Sequence, residues 1–517
     1  MDLAIKISLL VLFFGVMIGV GIYCRKNATD VNGFVLGGRS VGPWLTAFAY
    51  GTSYFSAVIF IGYAGQFGWK FGIASTWIGI GNALIGSFLA WAILGRRTRI
   101  MTQHLNSATM PEFFGKRFAS KGLKIGASII TFIFLIPYTA SLYNGLSRLF
   151  SKAFNIDYVW CIIAMSVLTG IYVIAGGYMA TAINDFIQGI IMIFGIVAVI
   201  AAVLMNQGGF MEALNGLANV PSETPGAYNS FFGPDPLNLL GVVILTSLGT
   251  WGLPQMVQKF YAIKHERDIR KGMVISTAFA IIVAGGCYFL GGFGRLFGEF
   301  VETDAKGGIV FDSIIPNMLD NSHLPAILMA IVVILVLSAS MSTLSSLVIA
   351  SSSTLTIDLL KGNVIKKMND KKQVLIIRIF VVVFIAISAF IAIYQTQSKN
   401  ESVKFIAQLM GVSWGALAGA FLAPFLYGLY WKKTTKLACW VSFIFGAGIM
   451  LLNLFARSIF PPILQSPINC GALAMIAGLI IVPVVSLLTP KPDKNLVDDA
   501  FACYEKKVPA KQKNSLD

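Results

Sequence analysis

Long apolar runs alternate with short polar stretches along the whole 517-residue chain. Each run is close to the length of about 20 residues that a helix needs to cross a bilayer. The runs are continuous rather than alternating between polar and apolar positions, so they predict helices and not the strands of a membrane barrel. Thirteen spans are predicted, at 4–24, 44–66, 72–94, 125–147, 157–177, 180–205, 238–258, 272–294, 324–357, 374–394, 405–430, 437–456 and 468–488.

Glycine or proline interrupts two of these spans near the middle. Span 2 contains Gly51-Thr52-Ser53, and span 7 contains a run from Gly249 to Pro254. Glycine and proline are frequent in membrane helices, which is the simplest explanation of the pattern. Broken helices at corresponding positions of two halves are also typical of secondary transporters built from inverted repeats. We therefore predict an all-α membrane protein in which spans 2–6 and spans 7–11 form five-plus-five inverted repeats, each starting with a broken helix.

The charge distribution agrees with a multi-pass membrane protein. Charged residues make up only 12% of the chain, whereas soluble domains contain about 25%. The loops after spans 1, 3, 5, 7, 9 and 11, the C-terminal tail and the adjoining start of span 10 (Arg378) hold 30 Lys and Arg. The N-terminal end (Lys6) and the other loops hold 9, which together give the total of 39. By the positive-inside rule this asymmetry predicts an N-terminus outside and a C-terminus inside. It also accounts for the net charge of +16 without a nucleic-acid partner.

No soluble domain is predicted. Residues 1–490 read as one transmembrane transporter domain, and residues 491–517 as a short cytoplasmic tail. The tail is too short for a catalytic or signalling module, so we expect a transporter and not an enzyme. The first apolar run lacks the basic n-region and cleavage site of a signal peptide, so we expect it to remain as a helix in the cytoplasmic membrane of a bacterium.

One acidic residue, Asp185, lies in the interior of the predicted spans, in span 6. A charged side chain at that depth costs about 2.5–3.5 kcal/mol on insertion scales. A cation, a bound proton or a paired group close to Asp185 has to offset that cost. The sequence therefore predicts a functional group at this position, with a structural carboxylate held by neighbouring hydroxyls as the alternative.

Span 9 carries an unusual density of hydroxyl groups for a membrane helix. Residues 338–346 include six Ser and Thr, and the spacing of Ala339, Ser342, Thr343 and Ser346 places them on one helix face. Such residues often bond back to their own helix or pack as small groups between helices. Combined with a lone buried carboxylate, they favour a site for sodium, a hard cation that prefers oxygen ligands.

Five motifs occur together in an order that resembles a known family. They are FVLGGRSVGPWLTAF at 34–48, GTSYFSA at 51–57, TMPEFFGKRF at 109–118, NDFIQG at 184–189 and ASMSTLSS at 339–346. On these motifs the chain resembles the solute:sodium symporter family, which includes bacterial proline and pantothenate symporters and the sodium/glucose cotransporters. The resemblance covers about residues 1–490 and implies the five-plus-five fold with alternating access.

The resemblance also implies the ligands of co-transported sodium. A first site would lie between the broken helix of span 2 and span 9, with ligands from the carbonyls of Thr52, Phe55 and Ala339 and the hydroxyls of Ser342 and Thr343. Some members have a second site built from one Asp and three Ser. The matching residues are Asp185, Ser342, Ser345 and Ser346, so one or two sodium ions are expected.

The solute is expected at the two helix breaks. Candidate contacts combine hydroxyl groups with aromatic faces, as suits a small polar organic molecule, and they are Ser53, Tyr54, Ser56, Tyr138, Thr246, Thr250, Trp251 and Gln408. Tyr138 matches a tyrosine of the proline symporters. Tyr54 stands where those symporters carry Asp, and Thr246 where they carry an aromatic residue, while GLPQ at 252–255 and NDFIQG look more like the pantothenate symporter.

These observations predict a sodium-coupled symporter that imports a small carboxylate or amino-acid-like solute, such as pantothenate, proline or a monocarboxylate, and that works as a monomer in the bilayer. Three alternatives remain at this stage. One is a transporter of the same fold coupled to protons through Asp185. The others are a transporter-like solute sensor and a channel lined by the hydroxyl groups of span 9.

Overall fold

The computed structural model describes residues 2–154, 156–303, 307–322, 324–361, 364–365, 368–397 and 406–505. Within these ranges the chain is built from helices joined by short loops. The described residues form no strand beyond three isolated β-bridges. The prediction of an all-α membrane protein is confirmed.

Ten helices in the described ranges are long and apolar enough to cross a membrane, and a bent pair of helices adds an eleventh span. The ten are Ile7–Asn27, Val58–His104, Lys121–Leu146, Tyr158–Asn206, Asp268–Gly291, Ala326–Leu360, Asp370–Gln395, Gln408–Tyr430, Lys436–Phe455 and Pro467–Leu488. The bent pair is Pro236–Gly252 with Pro254–Ala262, at an angle of 47°.

Two of the ten helical runs each contain two predicted spans. The run Tyr158–Asn206 has 49 residues, whereas a bilayer core about 30 Å thick needs about 20 at 1.5 Å each. It is interrupted at Gly177, whose φ of 55° and ψ of −149° suit glycine and not other residues. The run Val58–His104 is interrupted in the same way at Gly72, with φ of 60° and ψ of −140°. Dividing both runs gives the thirteen predicted spans.

Spans 2 and 7 are both broken, as the sequence predicts. Span 2 consists of the helix Pro43–Tyr54 and a second half at 58–71, and span 7 is the bent pair. Phe55 at the first break has φ −86° and ψ 122°, and Leu253 at the second has φ −84° and ψ 121°. The two helices therefore break with the same backbone geometry.

Spans 9 and 11 form the centre of the protein. In their most apolar windows, 78% of residues in span 9 and 89% in span 11 are buried, against 22% in span 1 and 33% in span 10. Span 9, which begins with the helix Ala326–Ser353, packs on spans 2, 4, 5 and 6. The hydroxyl-rich segment of span 9 is consequently enclosed by protein and does not face lipid.

The second half of span 2 crosses span 8 with the two backbones in contact. A Cβ atom added to Gly68 would lie 1.9 Å from the carbonyl oxygen of Gly291, and one added to Gly291 would lie 2.2 Å from that of Ala64. Only glycine fits on both sides of this crossing, which holds the first broken helix against the second repeat.

Short helices cover the face of the protein where the chain ends. The helix Met110–Arg117 starts at the N-cap Thr109, and the tail forms the helix Lys494–Ala502. Lys432 pairs with Asp498 at 3.1 Å, so this tail helix is docked on the transmembrane domain. Residues 506–517 of the predicted tail lie outside the described residues.

Candidate ion and solute site

The break in span 2 leaves backbone carbonyl groups available in the middle of the protein. The last carbonyls of a helix have no donor four residues further along the helix. The helix Pro43–Tyr54 ends at the extended residue Phe55. The carbonyl oxygens of Thr52 and Phe55 both accept hydrogen bonds from span 9 instead.

Span 9 completes this group with two hydroxyls and one carbonyl. Thr343 Oγ1 lies 3.2 Å from the carbonyl oxygens of Thr52 and Phe55 and 3.1 Å from that of Ala339. Ser342 Oγ lies 3.2 Å from the carbonyl oxygen of Thr52 and 3.1 Å from that of Ala339. We call these five oxygens the carbonyl–hydroxyl cluster. The structure thus brings together all five residues of the first sodium site that the resemblance implies.

The carbonyl–hydroxyl cluster has more acceptors than protons to satisfy them. A hydroxyl carries one proton, so Thr343 can donate to only one of its three carbonyl neighbours at a time. All five residues are fully buried, so bulk water does not reach these oxygens. A set of converging neutral oxygens with surplus lone pairs suits a hard cation of low charge.

The second predicted set contains a positive charge of the protein itself. Asp185 and Lys259 are both buried, and Lys259 Nζ lies 3.8 Å from Asp185 Oδ2. Lys259 Nζ also donates a hydrogen bond of 2.9 Å to Ser346 Oγ, which is 2.8 Å from Ser53 Oγ. Asp185 and Ser346 therefore meet at the ammonium group of Lys259.

The other two members of that set are directed elsewhere. Ser345 Oγ donates to the carbonyl of Ser342 at 2.9 Å, and the hydroxyl of Ser342 belongs to the carbonyl–hydroxyl cluster. The ring of Tyr178 covers the other side of Lys259, with its centroid 5.0 Å from Nζ. A cation over an aromatic face is attracted by the ring, so Tyr178 helps to hold the ammonium group of Lys259 in place.

Two buried charges, Lys259 and Asp358, were missed because each lies one residue beyond the predicted end of its span. Span 7 was predicted to end at 258 and span 9 at 357, but the helices continue to Ala262 and Leu360. Lys259 was counted with the loop after span 7, and Asp358 with the loop after span 9. The run PQMVQKFYA, which directly follows the break in span 7, is the signal that could have placed Lys259 inside the protein.

Asp358 serves a different part of the protein. It accepts a hydrogen bond of 2.6 Å from Thr109 Oγ1 and lies 3.4 Å from Lys124 Nζ. Thr109 also caps the helix Met110–Arg117 through the backbone N–H of Glu112. The TMPEFFGKRF motif therefore joins spans 4 and 9 at the face where the chain ends.

Three of the predicted solute contacts lie together beside the break in span 2. Tyr54 and Tyr138 both pack on the indole ring of Trp414 in span 11, each with a ring-centroid distance of 5.9 Å. Within the described part of the chain, the buried polar atoms Tyr54 Oη, Ser56 Oγ, Tyr138 Oη and Trp414 Nε1 have no hydrogen-bond partner outside this group, and Ser56 and Trp414 lie beside the Tyr138 hydroxyl. We call these four side chains the aromatic–hydroxyl cluster. Their donors and acceptors suit a small polar solute.

Trp414 was missed by the sequence analysis. It lies in a long apolar run, and nothing in the local pattern distinguishes it from other tryptophans of the chain. Only the packing of span 11 against the break in span 2 shows that it belongs to this site.

The predicted contacts on span 7 are tied to span 3. Thr246 Oγ1 donates to Asn82 Oδ1 at 2.8 Å, Thr250 Oγ1 to the Gly86 carbonyl at 3.0 Å, and Trp251 Nε1 to the Ile85 carbonyl at 2.9 Å. These bonds join two helices of the core. They leave Asn82 Nδ2 as the nearby buried donor that has no partner among the described residues.

The two remaining predicted contacts lie apart from the aromatic–hydroxyl cluster. Ser53 is engaged with Ser346, as described above. Gln408 is half-buried at the start of span 11, where its Oε1 accepts a hydrogen bond of 3.3 Å from Arg457. It lies six residues before Trp414, or about 9 Å along the helix axis.

A cavity of about 660 Å³ lies on the face that carries the 206–236 loop. Its lining reaches Val242, which is one helical turn before Thr246. Lys70, Arg295 and Asp235 also line it and give it a net positive charge. On the opposite face a cavity of about 790 Å³ is lined by Arg96, Tyr430 and Tyr504, and a gap of about 10 Å³ lies beside Pro254 and Gln258.

Sequence comparisons find similar proteins over nearly the whole chain. The profile of the Sodium:solute symporter family matches residues 34–446. The Osmoregulated proline transporter OpuE of Bacillus subtilis is 29% identical over 501 residues, which is 96% of each chain. A Sodium/proline symporter of Staphylococcus aureus strain JH9 is 29% identical over 497 residues, 94% of this chain and 93% of its own.

Two solved structures share the fold. A Na+-coupled sialic acid symporter in a substrate-bound outward-open state covers 95% of this chain and 99% of its own, with a TM-score of 0.73 and 17% identity. The nucleobase-cation-symport-1 family transporter MHP1 covers 90% and 97%, with a TM-score of 0.51 and 14% identity. These likenesses support the fold of paired repeats with broken first helices.

Proposed function

The chain belongs to the sodium:solute symporter family, and from that premise we propose that it imports a small amino-acid-like carboxylate together with sodium. The resemblance seen in the five sequence motifs is thereby confirmed. Membership supports sodium as the coupling ion over protons, and transport of a solute over a sensor or a channel. The observation that carries the proposal is the carbonyl–hydroxyl cluster, because it offers five neutral oxygens to one cation.

In this proposal sodium joins the two parts of the transporter that must move relative to each other. Thr52 and Phe55 lie at the break in span 2, whereas Ala339, Ser342 and Thr343 lie on span 9. A cation bound between them holds the broken helix against span 9. The aromatic–hydroxyl cluster is attached to the same break through Tyr54 and Ser56, so sodium binding also positions the solute contacts.

The solute class follows from the aromatic–hydroxyl cluster and from the relatives. Tyr54, Tyr138 and Trp414 offer ring faces to an apolar part of the solute, and their O–H and N–H groups suit a carboxylate. The net positive cavity around Lys70 and Arg295 favours the approach of such a group. The relatives named as proline transporters make L-proline the first solute to test, followed by pantothenate and short monocarboxylates.

The test is a thermal-shift screen of the purified full chain with L-proline, pantothenate, pyruvate and glucose, in sodium and in potassium. We expect one carboxylate to raise the melting temperature in sodium and to have little effect in potassium, because sodium organises the solute site. Equal stabilisation in both salts would contradict sodium coupling.

Thr343→Ala should raise the sodium concentration needed for half of that stabilisation about tenfold, which is the loss of about 1.4 kcal/mol from one oxygen ligand. The matched control is Thr356→Ala on the same span, since Thr356 Oγ1 bonds only to its own helix at Ser352. Equal sodium dependence in the two variants would remove the Thr343 hydroxyl from the site.

Orientation and assembly are also part of the proposal. A monomer in the cytoplasmic membrane, with the N-terminus outside, agrees with the distribution of Lys and Arg between the two sets of loops. The cavity lined by Lys70 and Arg295 would then face the outside, which is the direction from which an importer takes up its solute.

A further inference from the structure

The residues of the second predicted sodium site do not form a suitable site for a sodium ion. A site made of one Asp and three Ser would need its oxygens to converge on a metal ion. In this chain Lys259 Nζ lies 2.9 Å from Ser346 Oγ and 3.8 Å from Asp185 Oδ2. A sodium ion bound by the same two oxygens would lie against a like charge in a buried place where water does not screen the repulsion.

The hydroxyl groups of the set are also arranged for an ammonium and not for a metal. Ser346 accepts from Lys259, and Ser345 and Ser342 are directed to a backbone carbonyl and to the first cluster. An ammonium has three protons to donate and no need of five or six ligands. Lys259 donates one of them to Ser346 and lies 3.8 Å from Asp185 Oδ2 as an ion pair without a hydrogen bond, while the ring of Tyr178 covers it.

The charges of the set balance without a further cation. Asp185 carries one negative charge and Lys259 one positive charge, and the remaining groups are neutral. Leaving either charge alone in the buried interior would be strongly destabilising. The ammonium of Lys259 thus does for Asp185 what a second sodium ion would do, except that it is covalently attached to span 7 and cannot be released.

We propose that Lys259 is a tethered replacement for the second sodium ion, so that this protein binds and transports one sodium ion, at the carbonyl–hydroxyl cluster. The inference rests on the proposed function for the meaning of the first site. It goes beyond that function because it fixes the ion stoichiometry and assigns a role to a residue that is not among the predicted ligands.

The experiment is equilibrium binding of radioactive sodium to the purified full chain without solute. We expect one ion per wild-type chain and two per Lys259→Gln chain, because removal of the ammonium leaves Asp185 and its hydroxyl neighbours open to a metal ion. The additional ion should disappear in the Lys259→Gln/Asp185→Asn double variant. No additional ion in Lys259→Gln would overturn the inference and reduce the pair to a structural salt bridge.

Two controls address the charge and the fold. Lys259→Arg keeps the positive charge and should bind the wild-type number of ions. Lys432→Gln makes the same change at an exposed lysine paired with Asp498 and should also leave the number unchanged. The Lys259→Met/Asp185→Asn variant removes both charges together, which avoids an unpaired buried charge, and should still bind one ion.

The outcomes separate this inference from the proposed function. Two ions in the wild type would overturn the tethered replacement and leave sodium coupling intact. If Lys259→Met/Asp185→Asn binds one ion fewer than the wild type, the tethered replacement is also overturned and sodium coupling stays intact. Asp185 would then be a sodium ligand in the wild type. Absence of sodium binding in the wild type, together with one Asp185-dependent ion in Lys259→Gln, would contradict the proposed function and still support the role of Lys259.

Discussion

At the scale of single residues, the two clusters divide binding between backbone and side chains. The carbonyl–hydroxyl cluster takes three of its five oxygens from the main chain, so its geometry depends on the break at Phe55 more than on side-chain identity. The aromatic–hydroxyl cluster consists of side-chain atoms only. If the two clusters bind ion and solute as proposed, substitutions in the second cluster should change the solute without moving the ion site.

Tyr138→Phe tests this separation. The change removes one buried hydroxyl that has no partner outside the aromatic–hydroxyl cluster among the described residues and keeps the ring packed on Trp414. We expect the KM for the solute to rise about tenfold, in line with the loss of one hydrogen bond of about 1.4 kcal/mol. The sodium concentration for half-maximal uptake should change little. Both quantities are measured by uptake of radiolabelled solute into vesicles.

The matched control is Tyr143→Phe. Tyr143 is also a fully buried tyrosine of span 4, five residues further along the helix, and so points away from Trp414. It should have the wild-type KM. A KM that rises equally in both variants would mean that the effect comes from span 4 in general and not from solute contact.

Single-residue identities were predictable where they belong to a motif. Thr52 follows only from the family resemblance that GTSYFSA carries, whereas helix periodicity puts the hydroxyls of Ser342 and Thr343 on one face of span 9. Lys259 and Trp414 were not predicted, since their roles depend on which helices pack together. Gln408 was assigned to the solute site from sequence, but the structure places it beside Arg457.

At the scale of helices, the two broken spans repeat each other closely. Gly-Thr occurs at 51–52 and again at 249–250, and both helices break three residues after that threonine, at Phe55 and Leu253. The local sequence therefore predicts the break itself. It does not predict that only the first break forms the carbonyl–hydroxyl cluster, because that depends on the hydroxyls of span 9 being next to it.

Gly68→Ala tests how the first broken helix is held. The added methyl group would overlap the Gly291 carbonyl, and since that atom is backbone, the helices must move apart. Overpacking of this kind costs about 1–3 kcal/mol, so a lower melting temperature of the purified protein is expected. Sodium-dependent stabilisation should also weaken, because spans 2 and 9 are no longer held in register.

The matched control for this change is Gly19→Ala in span 1. A Cβ atom at Gly19 would have no neighbour within 4 Å, and alanine favours the helix more than glycine does. The melting temperature should stay the same or rise slightly. A similar loss of stability in both variants would indicate a general effect of glycine replacement and not the crossing of spans 2 and 8.

At the scale of the whole molecule, the number of spans decides the orientation of the two ends. An odd number of spans, such as the predicted thirteen, would place the termini on opposite sides of the membrane. Length and hydropathy predicted this number from the sequence, and Gly72 and Gly177 explain why two pairs of spans appear as continuous helices. The sequence could not show how span 11 closes over the site, since that follows from packing across the repeats.

Epitope tags at the two ends provide the corresponding test. An N-terminal tag should be cleaved by an impermeant protease in right-side-out vesicles, and a C-terminal tag only in inverted vesicles, because 30 of the 39 Lys and Arg lie on the predicted inner side. Cleavage of both tags in the same vesicles would show an even number of spans.

In the proposed one-ion mechanism, the ammonium of Lys259 also limits how far the membrane potential can concentrate the solute. A membrane potential of 100 mV supplies about 2.3 kcal/mol for each positive charge that crosses. For a solute without net charge this corresponds to an accumulation of about 50-fold with one sodium ion, and of about 2,500-fold with two, at about 1.4 kcal/mol per tenfold ratio. In this mechanism, a lysine at this position gives a transporter that reaches a lower accumulation ratio but uses fewer sodium ions for each solute molecule it imports.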